Sequence, residues 1–152
     1  MPDPIPFRPR PQVPPEPKPA LTVVTVLLCA ALAAIYVWQA GLDAYGDMVL
    51  VSGYALIPAE LFGLGSRSGQ VGGVPAIATL LTAQFLHGGW MHLIGNLVAI
   101  LLAGILVERR AGGLRTLGVF LLSGVAGLAV EAAAGPGSTA PITTPRKPPT
   151  AG

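Results

Sequence analysis

His87-Gly88-Gly89-Trp90-Met91-His92-Leu93-Ile94-Gly95-Asn96 carries both histidines of the chain. The ten residues lie within 68–107, a stretch of forty without Asp, Glu, Lys or Arg. Two imidazoles and a carboxamide at the head of a membrane-length apolar segment are costly to bury unless they have partners or a task. Residues 91–107 that follow number seventeen, the lower limit for crossing a bilayer core, and Trp90 stands where an interfacial anchor would. Gly95, Ala99 and Ala103 recur every fourth residue, a stripe against which another helix could pack closely. His92 and Asn96 are also four apart, so they share a face beside that stripe and are expected to look toward protein rather than lipid.

Upstream, residues 76–85 form an apolar patch of ten, a length suited to an interfacial or buried helix and too short to span. Residues 43–67 are interrupted by Asp43, Asp47, Glu60, Pro58 and several glycines. They read as a structured loop with short helical pieces, lying on or dipping into the interface. Before them, residues 20–42 are twenty-three without a charge, enough for a tilted transmembrane helix, with Tyr36 and Trp38 near an aromatic belt. A cleaved signal peptide would have a shorter apolar region placed closer to the start. Nine of the first twenty residues are proline, so 1–19 reads as an extended tail and spacer.

Downstream, residues 108–115 form a short charged turn with Glu108, Arg109, Arg110 and Arg115. A third apolar segment, 116–134, is broken only by Glu131, which lies in line with Ser123 and Gly127. Ser123 and Gly127 offer a small-residue surface matching the preceding stripe. Glu131 is expected to snorkel at the interface, a buried relay carboxylate being the alternative. Residues 136–152 are rich in Pro and Thr and read as a second tail.

The fold class is therefore an all-α membrane protein of about three transmembrane helices, near 20–42, 91–107 and 116–134, with a structured loop over 43–90. Composition agrees: the chain is 52% hydrophobic and 11% charged, against about 25% charged in soluble domains, and its mean hydropathy is +0.66. A net charge of +2 from scattered Lys and Arg argues against nucleic-acid binding. The single Cys29 excludes a disulfide framework and a cysteine metal site. A cytoplasmic N-terminus, in a cell inner membrane or its equivalent, places Arg8, Arg10, Lys18, Arg109, Arg110 and Arg115 inside and Arg67, Arg146 and Lys147 outside. The histidines then sit near the outer face.

Three chemistries suit the cluster. A zinc site needs three or four ligands, and His87 and His92 on one continuous helix would diverge by about 140°, although the Gly88-Gly89 break could bring them together. A structural role would bridge loop and helix. The third is anion stabilisation, with Asn NH₂ and imidazole N–H one turn apart converging on one developing negative charge.

The pattern His-x4-His-x3-Asn, preceded by Leu81-Thr82-Ala83-Gln84-Phe85-Leu86 and followed by Val107-Glu108-Arg109, resembles the rhomboid family of intramembrane serine proteases. Ile57-Pro58-Ala59-Glu60-Leu61 is similar to rhomboid first loops, 121–127 to the start of the third helix, and 135–139 to the connection after it. The resemblance covers 21–141, and a rhomboid-like bundle that is incomplete within 20–135 is what it implies. It further implies a serine endopeptidase acting on transmembrane protein substrates in the bilayer, with no cofactor. By the same resemblance His92 and Asn96 match the oxyanion-stabilising pair, His87 a histidine that orders the loop, and Glu108 and Arg109 a polar knot at the base of the second helix.

The family's nucleophile is a serine in a Gly-x-Ser-Gly turn and its base is a histidine on a later helix. These 152 residues contain no Gly-x-Ser-Gly and no third histidine, and the first-loop Trp-Arg pair is also missing. With neither nucleophile nor base, the oxyanion donors stabilise a transition state that nothing else in the chain can start. Three readings follow: the N-terminal half of a protease interrupted before its serine, a non-catalytic rhomboid-like protein that binds transmembrane clients, and an unrelated three-helix membrane protein.

Overall fold

The computed structural model describes residues 22–65 and 72–142. The proline-rich tail, Arg67, and the tail bearing Arg146 and Lys147 lie outside these residues. Within them the chain is all helical, and three helices are long and apolar enough to cross a membrane. These are α1 (Val23–Ala40), α5 (Trp90–Ala111) and α6 (Gly113–Ala134), with α2 (Ala44–Tyr54), α3 (Pro58–Leu61) and α4 (Thr79–Thr82) between the first two. At about 1.5 Å per residue, the 22 residues of α5 and of α6 each cover about 33 Å, slightly more than a hydrocarbon core.

The apolar patch at 76–85 is an interrupted helix, in which α4 is flanked by 3₁₀ turns at Ala76–Ala78 and Ala83–Phe85. The loop between α1 and α5 is structured. Asp43 caps α2 by accepting from the Gly46 N–H at 2.8 Å, and Pro58 opens α3, where a missing N–H costs nothing. After α6 the chain folds back onto this loop. The Ala59 N–H donates to Ser138 O and the Ile142 N–H to Leu56 O, both at 3.0 Å.

Two apolar clusters hold the helices together. Leu32, Tyr36 and Leu93 join α1 to α5, with Phe85, Leu97, Ile100 and Phe120 packed around them. Leu56, Ala83 and Ala132 join the loop to α6. The Phe85 and Phe120 rings meet edge to face at 6.0 Å between centroids, a favourable aromatic geometry.

α5 is longer than the apolar run predicts, because Glu108 does not end it. The Glu108 carboxylate turns inward to α1, while Arg109 and Arg110 stay exposed in a last turn whose carbonyl dipoles favour cations. Only Gly112 separates α5 from α6. Its φ of +85° lies where a side chain would be strained, and its N–H closes onto Glu108 O at 2.9 Å.

The small-residue stripe is not the helix contact expected of it. α5 meets α1 through Leu93, Leu97, Gly104 and Glu108, whereas Gly95, Ala99 and Ala103 are exposed, as are Ser123 and Gly127 on α6. The close approach is at Gly104, where a Cβ would come within 2.7 Å of the Thr25 methyl carbon. The physical reason is that Leu93, Leu97, Ile100 and Gly104 lie on one face, and burying their bulk against α1 outweighs the contact that a stripe of three small residues offers.

Candidate functional site

Gly88-Gly89 gives the chain before α5 little conformational preference of its own, so its placement comes from neighbours. Gln39, the buried penultimate residue of α1, supplies them. Its Nε2 donates to His87 O at 3.2 Å, and its Oε1 accepts from the His87 N–H at 3.4 Å. The same Nε2 donates to Asp47 Oδ1 on α2 at 3.1 Å. One carboxamide thus ties α1, α2 and the His87 loop.

His87 is 2% exposed. It meets the ring of Tyr36 edge to face at 6.1 Å and that of His92 at 5.3 Å, while Tyr36 also packs against Trp90 at 4.8 Å. Burial pushes the proton affinity of His87 below the ordinary histidine value, and the nearby His92 lowers it further, against a backbone hydrogen bond at Phe85 that raises it.

His92 is exposed and Asn96 half-buried, on successive turns of α5. Among the described residues neither side chain makes a hydrogen bond to protein. Both line one cavity of about 530 Å³, which lies between α5 and α6. His87 and Gln84 contribute to its wall from the loop, and Ser123 and Glu131 from α6. Ser123 Oγ donates to Phe120 O at 3.1 Å within its own helix. Glu131 is exposed at the cavity rim rather than held in a core.

Gln84 fixes the far wall. Its Nε2 donates to Leu80 O at 2.8 Å and to Leu121 O of α6 at 3.3 Å. Its Oε1 is buried against Gly124, whose missing Cβ leaves the room for it.

Glu108 lies at the other end of α5. Its carboxylate accepts from the Val24 N–H at 2.9 Å, the Thr25 N–H at 2.7 Å and the Thr25 hydroxyl at 2.7 Å. It serves as the N-cap that Thr22, which makes no side-chain cap bond, does not provide. Arg109 is exposed and does not join this cluster. The structure therefore brings His87, His92 and Asn96 together and leaves Glu108 and Arg109 at the opposite end of the helix.

No group of three His, Cys, Asp or Glu among the described residues could hold a metal ion. Sequence reading did not single out Gln39 or Gln84. Each is a lone carboxamide within an apolar run, and the cost of burying such a group there is the signal that could have found them.

The family description "Rhomboid domain" matches residues 75–152, just over half of the chain. Searches among curated proteins and among solved structures found no match. The matched residues hold the whole His87–Asn96 segment, α5, α6 and most of the cavity wall, to which Leu32 of α1 also contributes. Three membrane-length helices make the chain an integral membrane protein, and with the domain match it belongs to the rhomboid family.

Proposed function

We propose that His92 and Asn96 are the anion-stabilising half of an intramembrane serine endopeptidase site that acts on transmembrane substrates. The observation that carries this reading is their shared exposure to one cavity, on successive turns, with their donors uncommitted. In acyl transfer a carbonyl oxygen gains negative charge as a nucleophile adds. The imidazole N–H of His92 and the NH₂ of Asn96 would donate to that oxygen, in surroundings of low dielectric where such bonds are strong. His87, held by Gln39, would fix the loop from which α5 starts. Glu108 would anchor the far end of the same helix to α1.

The 152 residues hold no Gly-x-Ser-Gly and no histidine beyond His87 and His92. Ser123 lines the cavity, but its hydroxyl is committed to Phe120 O and pairs with no imidazole. These residues by themselves stabilise an anion and do not generate one. The orientation that suits the arginines has the N-terminus in the cytoplasm and the cavity toward the outer face. Membership in the family removes the reading as an unrelated three-helix protein. The second reading, a non-catalytic partner of transmembrane clients, is favoured by the exposed stripe Gly95, Ala99 and Ala103.

Reconstituted alone, the chain should not cleave a fluorogenic transmembrane substrate. Co-expressed with a segment that supplies a Gly-x-Ser-Gly helix and a histidine helix, it should cleave, and Asn96→Ala should slow that cleavage by about 10²–10³-fold. Serine-inhibitor-sensitive cleavage by the chain alone would overturn the proposal, as would complemented cleavage indifferent to Asn96→Ala.

A further inference from the structure

We infer that Gln39 is a positioning residue for the His87–His92 pair, and that Asp47 holds its carboxamide in place. The functional meaning of this rests on the reading of His92 as an anion donor; the geometry does not. Gln39 Nε2 meets two oxygens, Asp47 Oδ1 and His87 O, so the NH₂ and the carbonyl of the side chain cannot exchange places. Its carbonyl then accepts the His87 N–H. The backbone N–H and C=O of His87 are both gripped by a single side chain that is 7% exposed.

Tyr36 lies one turn earlier on α1, and its ring packs on His87 and Trp90. The last turn of α1 therefore holds the chain on both sides of Gly88-Gly89. From Trp90 onward the backbone is continuous helix, so the position of its first turn carries His92 and Asn96 with it. His87 meets His92 ring to ring, which passes any displacement of the loop directly to the imidazole. Asp47 closes the arrangement from α2. Without its carboxylate, the Gln39 NH₂ loses one of the two oxygens it meets and its tie to α2, and the grip on His87 O weakens.

The chain owns two histidines, so selective ¹³C,¹⁵N-histidine labelling of the full chain in micelles yields two ring spectra, distinguished by His87→Gln. Gln39→Met keeps length and removes all three bonds; it should move the His92 ring resonances by more than their linewidths. Asp47→Leu should do the same, whereas Asp47→Asn, which keeps an acceptor oxygen for Gln39, should leave them at their wild-type positions. A merely supportive contact would not separate Asn from Leu at position 47 in the ring spectrum of a residue that neither touches. Unmoved His92 resonances in Gln39→Met overturn the inference. Should Gln39→Met fail to fold, identical His92 spectra for Asp47→Leu and Asp47→Asn overturn it. These spectra are independent of cleavage, so a failure here is distinct from a failure of the complemented protease to depend on Asn96.

Discussion

The carboxylate of Glu108, near the end of α5, accepts both the backbone N–H and the hydroxyl of Thr25 in the first turn of α1, each at 2.7 Å. Two helices more than eighty residues apart are joined where one lacks acceptors for its first N–H groups and the other supplies a carboxylate. The first turn of a helix carries unpaired N–H groups and a positive dipole end, and both favour a carboxylate. In a bilayer no water substitutes for it in the hydrocarbon region.

Thr25→Val should destabilise the chain by about 1 kcal/mol, the worth of one buried hydrogen bond at nearly constant volume. Glu108→Ala should cost more than Glu108→Gln, because alanine leaves two N–H groups and the hydroxyl without an acceptor. The Thr25→Val and Glu108→Ala effects should be non-additive, since both remove the same bond. SDS-titration unfolding in micelles measures all of these, and additive effects would show the contact to be energetically idle.

Gly104→Ala and Gly95→Ala should differ in sign or size although both lie in α5. At Gly104 a Cβ meets the Thr25 methyl carbon at 2.7 Å and its hydroxyl at 2.8 Å, so the helices must separate. Overpacking of this kind costs about 1–3 kcal/mol. At Gly95 a Cβ meets nothing within 4 Å, and alanine should be neutral or stabilising by up to about 1 kcal/mol through helix propensity. Thermal unfolding of the two variants side by side checks the pair.

Gly124→Ala should loosen α6 from the loop. Its Cβ would fall onto the Gln84 carboxamide, which would have to leave Leu121 O. The expected loss is about 1–3 kcal/mol. Gln84→Ala should restore part of it by vacating the space, so that Gly124→Ala costs less in that background. Equal costs in both backgrounds would mean that Gln84 does not occupy that position.

Much of this arrangement is legible in the residues. Uncharged runs mark all three long helices, and the period of four puts His92 and Asn96 on one side of α5. The end of α5 is less legible, because Glu108 and Arg109 look like the end of an apolar segment. Glu108 is instead drawn into the helix by the N-terminus of α1, a partner that nothing local announces. The stripe at Gly95, Ala99 and Ala103 misleads for a similar reason. Small residues permit close packing but do not compel it, and the bulk of Leu93, Leu97 and Ile100 decides which face turns to α1. The cavity wall formed by α6 depends on Gln84 and Gly124, forty residues apart, whose complementarity exists only once the chain is folded.

His87 should make stability fall at mildly acid pH. Burial, and then His92, hold its folded proton affinity below the ordinary value of 6.5, whereas in the unfolded chain it titrates near that value. Above about pH 6.5 both states are neutral at this site and the full stability is present. Below it the unfolded chain takes up a proton that the folded chain resists, so stability declines with falling pH until the folded state also protonates. Unfolding measured between about pH 8 and pH 5 should show this slope, about one proton's worth at most. His87→Phe, which keeps an aromatic ring against Tyr36, should flatten it. An unchanged slope in His87→Phe would show that His87 is not the source of the acid sensitivity.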